Sequence, residues 1–329
     1  MTLLKVENLV KHFPVRINFV KALFTRERKK VHAVNGVSFE IEEGQTLGLV
    51  GESGSGKTTT GRLILKLEEP TAGRIFFAGK EITSLGAEEM RRLRREMQII
   101  FQDPLASLNP YMRIGEAVRH PLVIHSIGEN KRRQREMVIE MLERVNLRPA
   151  EEFYNRFPRQ ISGGQRQRVV IARALITRPK FVVADEAVAM LDVSVRSQLL
   201  KLMMDLKHEF NLTYLFITHD LATTKYICDR IAVMYLGRIV EEGSFKDIYT
   251  DPKHPYTRAL ISAVPEPDPK AGEKKKKLIP AGEVPNPIDP PSGCPFHPRC
   301  PYAKEVCKTA PPKLKELESG RRVACYLYS

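Results

Sequence analysis

The stretch "TLGLVGESGSGKTTTGRLILKL", residues 46–67, decides how this chain is read. Its centre, "GESGSGKT" at 51–58, fits G-x-x-x-x-G-K-[ST]. An apolar strand-like run precedes it, and helical spacing follows it. That context separates a phosphate-binding loop from a merely flexible glycine loop. Gly51, Gly54 and Gly56 let backbone N–H groups close on phosphate oxygens where a Cβ would block approach. Glu52, Ser53, Ser55 and Thr59 complete the loop and its exit. The following helix start adds favourable partial charge. Lys57 can reach terminal phosphates, and the Thr58 hydroxyl can ligate Mg²⁺.

Working outward, "FVVADE" at 181–186 reads as a buried strand ending in two carboxylates. Ligands of open sheets sit beyond the carboxyl ends of strands. Asp185 is placed to hold Mg²⁺, and Glu186 to orient or deprotonate an attacking water. Taken alone, the pair also suits a strand-end turn. "ISGGQRQR" at 161–168 puts Ser162, Gly163, Gly164 and Gln165 at a helix start. One nucleotide needs only one such device, so the second points to another subunit.

The wider pattern is strands alternating with helices, as in an α/β domain. Expected strands lie at 3–10 (an edge), 36–42, 45–50, 73–82 (a pair turning at Gly79), 180–185 and 213–220, followed by a hairpin at 230–243. Expected helices lie at 58–67, 87–97, 130–145, 165–177 and 194–209. Residues 16–32 read as an inserted loop. Composition shifts near 265, where "PEPDPKAGEKKKK" is a Pro- and Lys-rich linker. The expected organisation is a main domain at 1–264, with a helical subdomain near 103–178, and a small irregular domain at 265–329.

The formal net charge is +14, with basic runs at 26–30, 91–95, 131–135 and 274–277. They are scattered, and the chain has no Trp. Solvated helix faces explain them better than a nucleic-acid surface. No apolar run is long enough to cross a membrane, and the start lacks a secretory pattern, so a cytosolic protein is expected.

Taken together, these segments resemble an ATP-binding-cassette (ABC) ATPase. "GESGSGKT" resembles the Walker A loop, "FVVADE" the Walker B strand and "ISGGQ" the signature motif. Gln102 in "IIFQDP" matches the Q-loop glutamine, His219 in "FITHD" the switch histidine and Asp192 in "AMLD" the D-loop. Phe13 in "KHFPV" matches the aromatic that stacks on adenine. The order is the family's across about 250 residues. The resemblance implies a mixed sheet with an antiparallel β subdomain and a helical subdomain. It implies two such domains closing head to tail on two ATPs, with Lys57 and Thr58 of one facing Ser162–Gln165 of the other. Gln102 would touch Mg²⁺ and sense a membrane partner, Glu186 would polarise the water, and His219 would meet the γ-phosphate. Read singly, His219 on an apolar strand looks like a satisfied buried histidine.

"DPLASLNP", "DVSVRSQ" and "DPKHPYTRALISAVP" resemble the oligopeptide and dipeptide importers, nearer the F-type than the D-type subunit. The implied partners are a sister D-type subunit or a second copy, two transmembrane permease subunits and, indirectly, an extracytoplasmic solute-binding protein. The implied place is the cytoplasmic face of the membrane. The cargo would be peptide, with oligosaccharide or nickel as alternatives. A soluble ABC ATPase acting on nucleic acid is the other class. It fits less well, because only 59 residues separate Gln102 from Ser162 and there is one cassette. One departure stands out: Ala187 replaces the usual Pro after Glu186, and Ala189 and Met190 fill positions usually held by Ser and Ala. Hydrolysis is expected to survive with altered rate or coupling.

Cys294, Cys300, Cys307 and Cys325 are spaced by five, six and seventeen residues. Disulfides suit secreted chains. Structural zinc prefers closer pairs. A [4Fe–4S] cluster accepts four thiolates from irregular loops. Free thiols remain open. "AGEVPNPIDPPSGCPFHPRCPYA" resembles the subfamily's C-terminal extension and implies the cluster. His297 reads as neutral or outside the ligand set, and Cys228 as a buried thiol. The simple role is a clip for a segment with little core of its own, separate from nucleotide binding.

Overall fold

The computed structural model describes residues 1–15, 29–264, 282–317 and 320–328. The basic run at 274–277, most of that at 26–30 and the 265–281 linker lie outside the described residues. In chain order the strands are β1 (Thr2–Pro14), β2 (Lys30–Glu42), β3 (Thr46–Val50) and β4 (Ala72–Phe77). Next come β5 (Lys80–Glu81), β6 (Met97–Ile100), β7 (Phe181–Asp185) and β8 (Thr213–Thr218). The last are β9 (Arg230–Tyr235), β10 (Arg238–Ser244), β11 (Lys315–Glu316) and β12 (Arg322–Val323). Three helices concern the site: α1 (Lys57–Ile64), α2 (Gly163–Leu175) and α3 (Val193–Phe210).

Contacts divide the chain into two units. The first is Met1 with 41–46 and 84–217; the second is 2–40, 47–83 and 218–329. In the first unit β6, β7 and β8 are parallel, with Met97 opposite Phe181 and Phe181 opposite Thr213. Every residue of β7 and β8 is buried, as expected of parallel strands covered on both faces. The helices Ile114–Ile124, Lys131–Arg144, Ala150–Asn155 and α2 pack on one another. Lys131–Arg144 starts where Asn130 Oδ1 accepts the Arg133 N–H at 2.9 Å. It buries Val138, Met141 and Leu142, three or four residues apart. The helix expected at 87–97 stops at Leu93, because Met97 begins β6. Four residues give too short a period for that strand to be seen in the sequence.

In the second unit an antiparallel sheet runs β2-β1-β4-β5. β1 is therefore an inner strand, not the expected edge. It carries Leu3, Leu4, Val6 and Leu9 into the core. β3 pairs in parallel with β9, and β9 pairs antiparallel with β10. The tail then contributes regular structure that its composition concealed. β12 adds to β10, and β11 adds to β12.

Side chains fix that addition. Glu241 on β10 is fully buried. Its carboxylate accepts from Arg321 Nε at 3.1 Å and Nη2 at 2.7 Å. It also accepts the Lys253 and His254 backbone N–H groups at 2.8 and 2.9 Å. Next door, buried Glu242 pairs with Arg230 and Arg322. Burial nevertheless pushes the Glu242 carboxyl above the usual range, against the pull of both arginines.

Candidate active site

The loop at 51–56 leaves the end of β3 and delivers Lys57 to the start of α1. Two glycines make its path possible. A Cβ on Gly51 would stand 2.2 Å from the Met234 carbonyl oxygen. One on Gly56 would stand 2.2 Å from the Ala33 carbonyl oxygen, at φ +101°. Lys57 is 4% exposed. Its Nζ donates to the Gly51 and Glu52 carbonyls at 2.7 and 2.8 Å and to Ser55 Oγ at 3.3 Å. The ammonium thus sits inside the curl of the loop, where phosphate oxygens would compete for its protons. Ser53 and Gly54 are exposed at the rim, and Thr58 and Thr59 are half-buried on the first turn. Phe13 is half-buried on β1, with the Lys11 ammonium 4.7 Å from its ring centroid. His219 lies just beyond β8 and is exposed, so it is not the buried strand histidine that its local sequence suggested.

In the first unit the structure brings Gln102 and Glu186 together. Gln102 Nε2 donates to Glu186 Oε2 at 2.8 Å. Asp185 is buried at the end of β7. Glu186 follows in the left-handed region, at φ +48°. A non-glycine residue there costs on the order of 1–3 kcal/mol and marks a backbone held by its surroundings. Its N–H donates to the Ile217 carbonyl at 2.9 Å. Ala187 is buried, and Met190 is exposed.

Ser162 caps α2. Its Oγ accepts the Gln165 N–H at 3.3 Å, and Gln165 Oε1 accepts the Ser162 N–H at 3.0 Å. This reciprocal pair presents the helix start, with Gly163 and Gly164, to solvent. A Cβ on Gly164 would meet Val195 at 2.7 Å. Asp192, exposed, stands at the N-terminus of α3.

In the tail, Cys294, Cys300, Cys307 and Cys325 line one small pocket with His254, Phe296 and His297. Burial, the largest cause, pushes the Cys294 thiol up to about 11 and raises Cys300 and Cys325. The neighbouring thiols add to the rise by mutual repulsion. Such a group stays protonated unless a cation takes up the negative charge. His297 Nδ1 is 3.0 Å from the Cys294 carbonyl oxygen, which can only accept, so that nitrogen carries a proton. Among the described residues no three Cys, His, Asp or Glu groups converge as donors to a single ion. Four cysteine thiols round one small pocket are the donor type and number that a [4Fe–4S] cluster takes. Cys228 is buried elsewhere, beside Gly48.

One further contact lies beyond the reach of any local sequence pattern. Arg299, between two of these cysteines, reaches Glu52 in the phosphate loop at 3.0 Å. A separation of 247 positions leaves no local pattern to read. The tail is thus joined to the loop it was expected to leave alone.

Residues 34–189 match the ABC transporter model, and residues 240–307 match the C-terminal region of oligopeptide/dipeptide transporters. The oligopeptide transport ATP-binding protein AppF of Bacillus subtilis is 46% identical over 329 residues, covering 100% of this chain and 98% of that protein. The chain belongs to the ATP-binding subunits of this ABC transporter family. The dipeptide transport ATP-binding protein DppF of Haemophilus influenzae is 47% identical, over 98% of this chain and 96% of its own. Among solved structures, a dimeric ATP-binding cassette in a post-hydrolysis state with ADP and Pi is 29% identical. It matches 74% of this chain and 99% of its own with a TM-score of 0.65. The fold is the ABC ATPase fold, and the chain is an ATP-hydrolysing transport subunit. Among the described residues, no helix is long and apolar enough to cross a membrane.

Proposed function

We propose that this ABC ATPase powers peptide import from the cytoplasmic face of a membrane. The observation that carries the reading is the match of 240–307 to the C-terminal region of oligopeptide/dipeptide transporters. Its partners are two permease subunits, a sister D-type ATPase or a second copy, and indirectly a solute-binding protein. The division we propose is a nucleotide-binding domain at 1–264, with its helical part at 103–178, and a linker and cysteine domain at 265–329.

Within that division the loop 51–59 takes the ATP phosphates, and Lys57 exchanges loop carbonyls for β- and γ-phosphate oxygens. Phe13 stacks on adenine. Thr58, Gln102 and Asp185 supply hard oxygen donors suited to Mg²⁺, which when bound neutralises phosphate charge. Glu186 holds the attacking water, and Gln102 restrains the carboxylate until nucleotide arrives. His219 donates to the γ-phosphate. Ser162, Gly163, Gly164, Gln165 and Asp192 complete the partner subunit's nucleotide site. The four cysteines hold a [4Fe–4S] cluster, which would supply a cross-link to a loop with little core; zinc is the alternative.

The test is ATP hydrolysis after co-reconstitution with the permeases and binding protein. Peptide should stimulate it severalfold; stimulation by oligosaccharide, nickel, DNA or RNA instead would overturn peptide import. Anaerobically purified protein should carry about four iron and four sulfide per chain. Stoichiometric zinc would refute the cluster.

A further inference from the structure

The phosphate loop is gripped from the cysteine loop at two points. Arg299 ends the one-turn helix His297–Arg299, next to Cys300. Its Nη1 donates to Glu52 Oε2 at 3.0 Å, and its Nη2 lies 3.4 Å from Oε1. The guanidinium is 9% exposed and also reaches Tyr235 Oη at 3.4 Å. The second grip is on the main chain. The Glu52 N–H donates to Tyr256 Oη at 2.9 Å. Phe296 packs edge-on against Tyr235, with centroids 5.3 Å apart, and lies 5.4 Å from Tyr256. Phe296 is itself flanked by Cys294, through Pro295, in the same pocket wall.

Glu52 is not a bystander. Its carbonyl accepts from Lys57 Nζ, so moving Glu52 moves a partner of the phosphate-binding lysine. Its carboxylate also stands in a loop built to receive a polyanion. Unpaired, that charge would repel phosphate; paired with a buried guanidinium, it is neutralised and its geometry fixed.

We infer that Arg299 is a positioning residue for the phosphate loop, so that the ordered cysteine loop raises nucleotide affinity through the Arg299–Glu52 pair. This rests on reading 51–58 as the phosphate site. Coupling of this kind is reciprocal: whatever the loop does for nucleotide, nucleotide does for the loop.

The experiment uses the full chain and a fluorescent ATP analogue with Mg²⁺, titrated to equilibrium. Arg299→Gln should weaken binding tenfold or more. Adding Glu52→Gln to it should recover at least threefold, because the uncompensated charge is gone; a merely structural loss would not be rescued. In the unaltered protein, saturating ATP should slow trypsin cleavage within 293–307 at least threefold. Affinity within twofold for Arg299→Gln, or a double variant no better than the single, overturns the inference. If Arg299→Gln fails to fold, the ATP protection of 293–307 in the unaltered protein decides, and its absence counts against coupling. Lys57→Ala separates the two claims. ATP binding unchanged in that variant would sink the phosphate-site reading, not the coupling alone.

Discussion

At 51–58 the main chain runs so close to the Met234 and Ala33 carbonyls that only glycine fits at two positions. At 293–307 the chain is held from a distance, by the side chains of Glu52, Tyr235 and Tyr256. The first loop is specified by atoms that are missing within eight residues. The second is specified by charges and rings that sequence order scatters. The first kind leaves its mark in consecutive residues whatever atoms crowd them, whereas the second kind ties its loop to whatever disturbs β9 or the phosphate loop.

The sharpest way to break the distant kind is Arg321→Ala. It leaves Glu241 wholly buried without its cation, and removal of one partner of a buried pair costs about 3–5 kcal/mol. Urea denaturation should show this loss, and a change under 1 kcal/mol would mean that β12 is not what fixes the tail. The local kind is tested by Gly56→Ala. Strain at φ +101° and the clash with the Ala33 carbonyl should together cost roughly 3 kcal/mol, with ATP binding lost. Binding at wild-type affinity would refute the steric argument.

A smaller effect concerns His254, which packs beside Phe296 of the cysteine loop. Burial lowers it to about 3, and its Nδ1 accepts the Tyr256 N–H at 3.1 Å. The folded state resists protonation there, while the unfolded state takes up a proton below about 6.5. Unfolded protein thus binds more protons between pH 6.5 and 3, so stability falls as the solution is acidified through that window. The slope from this residue should be about 1.4 kcal/mol per pH unit, and His254→Asn should flatten it in denaturation midpoints taken from pH 7 to 4. An unchanged slope would assign the acid loss elsewhere. Arg135→Ala, which removes an exposed pair with Glu151, should shift stability by less than about 0.5 kcal/mol. A larger loss would show that surface pairs hold this helical region.

The same contrast explains what the sequence disclosed. Gly51, Gly56, Lys57, Asp185, Glu186 and the Ser162 cap were legible because they stand in short consecutive patterns, even though Gly51 and Gly56 answer to the distant carbonyls of Met234 and Ala33. β7 and β8 were legible as unbroken apolar runs. β6 was not, since "MQII" is shorter than any useful period, and it was absorbed into the helix before it. β1 was placed at an edge because alternation reports faces, not how many neighbours a strand has. The Gln102–Glu186 bond was half-foreseen: the residues were named, their contact was not. Arg299, Tyr256 and the Glu241–Arg321 pair gave no sign, because an arginine in a Pro-rich tail looks the same whether its partner is water or a buried glutamate.

The pairing of β10 with β12 also sets a timetable. Glu242 and Arg322 are 80 residues apart. At 5–20 residues per second of synthesis, β10 waits roughly 4–16 s for the strand that covers it. During that interval its outer hydrogen-bonding edge is open, Glu241 lacks Arg321, and Glu242 has Arg230 but not Arg322. The nascent chain is most exposed to misassembly in those seconds, and whatever the cysteines bind is captured only after them.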